Sequence, residues 1–111
     1  MNRWTAVSIL FAASVLEAGG DALMRTAMHS SQSLRKLILF AAGAAVLFTY
    51  GYVVNAPPWD FGRLLGLYVV FFFVSAQLIS WLFFNQPPGR AVLVGGALII
   101  VGGLVIALSQ K

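Results

Sequence analysis

Four apolar runs, each near the roughly 20 residues that cross a hydrocarbon core, leave this chain few ways to fold. They cover 4–28, 37–54, 62–84 and 91–109, and short polar or proline-rich breaks separate them. His29 to Ser33 is a polar loop, followed by Arg35 and Lys36. Asn55-Ala56-Pro57-Pro58 and Asn85-Gln86-Pro87-Pro88 end the second and third runs, because paired prolines cannot continue a helix. Only 9% of the residues are charged, against about 25% in an ordinary soluble domain. The expected fold is therefore an all-α membrane protein, a single domain of four transmembrane helices in the lipid bilayer, with neighbours antiparallel across short loops. The first run resembles a signal peptide at its start. It is nonetheless the length of a span, carries Glu17 and has no separate cleavage region, so it is expected to remain.

Charge placement carries the functional reading. Glu17 lies inside an apolar run with no other charge between Trp4 and Asp21. A charge at that depth costs about 2.5–3.5 kcal/mol on insertion scales, which calls for a partner or a role. Glu17, Asp21 and Arg25 follow at i, i+4 and i+8 and share one helix face, with small residues such as Ala13, Ser14, Ala18 and Gly20 beside it. An acid held in low dielectric is neutralised by a proton or by a cation, and the two compete for it. Exchange follows if only one binds at a time and the site opens alternately to each side. The plainer alternative is a structural Glu17 paired with Arg25 or Arg63. Asp21 and Arg25 are spaced for a helix salt bridge, or else for a secondary binding or relay point. Arg63 is expected to anchor the third span at the interface, or to reach an anionic group. Tyr68 and Trp81 are the aromatic residues selected to hold an organic cation by cation–π attraction. Ser14 and Ser80 are the expected hydrogen-bond partners of Glu17.

The lysines and arginines divide three (Arg3, Arg63, Lys111) against four (Arg25, Arg35, Lys36, Arg90) between the two sides. A fixed orientation normally shows a bias, so insertion both ways up is expected, and with it an antiparallel, dual-topology dimer. The net charge of +4 is thus a matter of topology and gives no nucleic-acid surface. Gly95 with Gly102, and Gly96 with Gly103, form stripes that suit a close crossing at the dimer interface, or packing within one bundle. The absence of cysteine excludes disulfides and thiolate metal sites. No metal-ligand spacing, phosphate loop or nucleophile–base arrangement is present, so neither an enzyme nor a bound cofactor is expected; the proton is the coupling ion.

With these residues in hand, the chain resembles the small multidrug resistance family of four-helix transporters. Glu17-x-x-Gly20-x-x-Leu23-Met24-Arg25 is similar to the family's first-helix motif, with Glu17 at its proton- and substrate-binding acid. Ser80-Trp81-x-Phe83-Phe84-x-Gln86 is similar to the end of its third helix, and Gly95 and Gly102 to its glycine-rich fourth. The resemblance implies an antiparallel homodimer in the bacterial inner membrane that exports small organic cations in exchange for protons. Tyr68 sits where the drug exporters of the family carry Trp, Leu65 where they carry Tyr, and Val70 and Phe72 replace small residues. Asp21 is an extra acid. Two alternatives stand beside this reading. One is a flippase for an amine-bearing lipid or lipid-linked sugar; the other is a non-transporting accessory subunit. A partner chain of opposite topology would make the assembly a heterodimer.

Overall fold

Each apolar run forms one continuous helix in the computed structural model, which describes residues 1–108. The elements are α1 (Arg3–Met28), α2 (Ser33–Val54), α3 (Phe61–Phe84) and α4 (Arg90–Leu108). All four are long and apolar enough to cross a membrane. Ser109 and Lys111, assigned to the last span and to the charge count, lie outside the described residues. Helix α1 starts where the Asn2 side chain accepts the Thr5 N–H at 2.8 Å, satisfying one of the free donors of the first turn. Helix α2 begins at Ser33, ahead of Arg35 and Lys36, so these two cations stand on its first turn and not in the loop. Helix α3 stops at Asn85, whose left-handed backbone (φ 55°) Asn tolerates better than most residues. The Ser80 hydroxyl reinforces that stop by donating to the Gln86 carbonyl at 3.0 Å.

Small residues decide which helices meet. Helix α1 lies between α2 and α3, whereas α4 docks on α3 alone. The α1–α2 contact is close because Gly20 faces Leu47 and Gly43 faces the Gly20 carbonyl; a Cβ on Gly20 would stand 2.7 Å from Leu47. The shared core is small: Leu10 and Ala13 of α1, Val54 of α2, and Leu64 and Tyr68 of α3. The array measures 51 × 34 × 19 Å, so its thin dimension is about two helices, each roughly 10 Å across. Large apolar side chains such as Phe48, Leu82 and Leu98 point outward, as lipid contact requires.

The glycines of α4 split between two faces. Gly96 lies against the Phe73 ring and Gly103 against Val70, so both are used within the chain to seat α4 on α3. Of the two readings of this stripe, dimer interface or packing within one bundle, the chain's own contacts are those of packing within one bundle. Among the described residues, nothing lies within 4 Å of where a Cβ on Gly95 or Gly102 would be, and both lie on the open face.

Candidate functional site

Glu17 sits near the middle of α1, half-buried, and Tyr68 of α3 reaches it. The Tyr68 hydroxyl donates to Glu17 Oε1 at 2.7 Å and lies 3.4 Å from the Ala13 carbonyl. Tyr68 itself is only 4% exposed. Its ring stacks on Phe72 at 6.3 Å and tilts against Tyr50 of α2 at 5.8 Å. Tyr50 stands within electrostatic reach of the same carboxylate. Three helices therefore converge on one acid, and the groups around it are phenols and aromatic rings.

A serine pair fixes the α1–α3 register beside the acid. Ser14 Oγ donates to the Phe11 carbonyl at 2.6 Å, and Ser14 and Ser75 hydroxyls lie 2.8 Å apart. A hydroxyl has one proton to give, so Ser75 is the donor to Ser14. Both serines are buried, and this pair joins the two helices about one turn from Glu17 on α1 and about two turns from Tyr68 on α3. Ser14 thus positions the site and does not bond Glu17, contrary to expectation. Ser75 was not anticipated, although it falls at i+7 from Tyr68 and hence on the same face of α3. Tyr50 was also missed as a site residue; its apposition to Tyr68 depends on how α2 sits against the α1–α3 pair.

The other expected residues are elsewhere. Trp81 is about 220° further round α3 than Tyr68, at about 100° per residue. It is 54% exposed and lines an outer groove with Phe73, Gln77 and Leu93. Within one chain it does not line the Glu17 site. Ser80 closes the end of α3, as described above. Arg63 ties α3 to the end of α4: it donates to the Ala107 carbonyl at 3.4 Å and lies over the Trp59 ring at 5.2 Å. It does not pair with Glu17.

Asp21 and Arg25 share an open groove of about 210 Å³ with Ala18, Phe72, Ser80 and Gln86. They form no ion pair among the described residues. The Arg25 guanidinium lies instead over the Phe84 ring, 5.7 Å from its centre. The structural salt bridge expected from their spacing is therefore replaced by a cation–π contact between α1 and α3.

Comparison with known proteins agrees with a membrane protein. The chain is 28% identical over 100 residues to the UPF0060 membrane protein sll0793 of Synechocystis, an alignment covering 89% of each chain. The chain is a multi-pass membrane protein. No family model matches it, and no solved structure does.

Proposed function

We propose that the chain is a proton-coupled antiporter that exports small organic cations across the bacterial inner membrane, working as an antiparallel homodimer. The observation that carries this reading is the partner of Glu17. A structural carboxylate in a span would be matched with a cation, yet the group 2.7 Å from Glu17 is the neutral phenol of Tyr68. A phenol orients the carboxylate and stabilises it by a charge-assisted hydrogen bond without cancelling its charge. The acid is left free to take a proton or a cation, and Tyr68, Tyr50 and Phe72 supply aromatic faces beside it. An accessory subunit would need no such uncompensated acid. The flat array of four helices does not enclose a substrate alone, and the open Gly95–Gly102 face of α4 is a suitable contact for a second copy. The resemblance of the Glu17 and Ser80 motifs to the small multidrug resistance family points the same way.

In the exchange cycle a cation entering from one side displaces the proton held at Glu17. The loaded site then reopens to the other side, where protons displace the cation. Reconstitution tests this. In proteoliposomes holding a pH gradient, guanidinium, quaternary ammonium ions and polyamines should include at least one cation that accumulates on the acidic side. Accumulation should collapse with a protonophore and be absent in Glu17→Gln. Accumulation of none of them would remove the exchange reading.

A further inference from the structure

The end of the molecule formed by the α1–α2 turn and the exit of α3 holds a second cavity, open to the surface like the Asp21 groove, that the exchange reading does not use. It measures about 380 Å³, and Arg25, His29, Ser30, Arg35, Phe84 and Gln86 are among its lining residues. Arg25, Arg35 and His29 line it, and among the described residues no carboxylate does. Asp21, the nearest acid along the chain, lines the adjoining groove, on the other side of Arg25 and Phe84.

The backbone adds to this positive field. Helix α2 starts beside the cavity, with no side-chain cap at Gln32 and no acid in its first turn, so its N-terminal dipole is unopposed. Placing Arg35 and Lys36 there works against the helix, since cations are disfavoured at a helix N-terminus. An anion seated beside Arg35, which lines the cavity from the first turn of α2, would reverse that penalty for this residue. The cavity also lies where Met28, Ser33 and Phe84 end or begin three spans, which is the depth of the headgroup layer.

We infer that this cavity binds a phosphate group, held by Arg25 and Arg35 with His29, Ser30 and Gln86 as further donors. Guanidiniums suit this because their paired N–H groups match phosphate oxygens two at a time. The depth of the cavity favours the phosphate of an anionic lipid headgroup as its source. The inference is independent of exchange at Glu17, and its test reads lipid retention and not transport.

The test is native mass spectrometry of the detergent-purified full chain titrated with phosphatidylglycerol and with phosphatidylcholine, with and without inorganic phosphate. Phosphatidylglycerol should be retained in preference, and Arg35→Gln and Arg25→Gln should each lower its retention about fivefold, the effect of one interfacial cation. Arg90→Gln, on the same end but outside the cavity, should leave retention unchanged. Arg35 is exposed on the first turn of α2, so its variant carries the test alone should Arg25→Gln fail to fold. Displacement of the lipid by millimolar inorganic phosphate would support the site and identify soluble phosphate as an occupant; its failure to compete would identify the headgroup. Equal retention by the wild type and Arg35→Gln, or an equal loss in Arg90→Gln, would overturn the inference.

Discussion

Two acids one helical turn apart on the same helix meet different surroundings. Glu17 is half-buried, held by Tyr68 from α3 and faced by Tyr50 from α2. Asp21 is exposed in an open groove, and the nearby Arg25 is engaged with Phe84. In the sequence both are carboxylates beside small residues on one face of α1. The difference arises from where the neighbouring helices approach. At Glu17, α3 brings an aromatic face against α1, and the buried Ser14–Ser75 bond joins the same two helices. One turn on, α1 and α3 part and leave a groove. On the exchange reading proposed above, the half-buried, oriented acid is the one that binds and releases, and the exposed one attracts cations towards it.

The variants that probe this contrast differ in size of effect. Glu17→Gln removes the carboxylate and should abolish the proposed cation-dependent proton release altogether. Tyr68→Phe keeps the ring and removes only the donor. A hydrogen bond to a charged group is worth about 1.5–3 kcal/mol, so apparent cation affinity should fall by about ten- to a hundredfold in equilibrium binding. An unchanged affinity would break the claim that Tyr68 prepares the acid.

The same dependence on register appears in α4, and there it bears on stability. Gly103→Leu drives a side chain into Val70, whose β-branched Cβ has little freedom to turn away. It should cost about 1–3 kcal/mol in detergent unfolding, as overpacking does. Gly102→Leu, on the open face, should leave the unfolding of the single chain unchanged while weakening the proposed association of two copies in cross-linking or light scattering. Asp21→Asn should be the mildest change. A surface charge contributes about 0–1 kcal/mol, so cation affinity should drop by less than about fivefold. An Asp21 effect as large as that of Glu17 would erase the contrast.

Much of the architecture was legible because lipid imposes it. Spans must be long, apolar and helical, and the Pro57-Pro58 and Pro87-Pro88 breaks mark where two of them stop. Glu17 was legible because a lone charge in such a run needs a reason. The sequence marks Tyr68 as an aromatic in a span, but its bond to Glu17 depends on the rotation of α3 about its axis, which hydropathy does not encode. The helical wheel shows that Tyr68 and Trp81 cannot face the same way, and that Ser75 can join Tyr68. The two glycine stripes of α4 lie about 100° apart and are equivalent in the sequence. Only Phe73 and Val70 on the neighbouring helix decide that Gly96 and Gly103 turn inward. Asp21 and Arg25 have ideal spacing for an ion pair, yet Phe84, far along the chain, offers the guanidinium another partner.

The most direct measurement is proton release from the detergent-purified chain when guanidinium, quaternary ammonium ions or polyamines are added in weak buffer. Release by at least one of these cations, saturating with concentration and absent in Glu17→Gln, is the result expected if proton and cation share one carboxylate. A folded protein that releases no proton with any of them, or releases it equally in Glu17→Gln, would contradict exchange at Glu17.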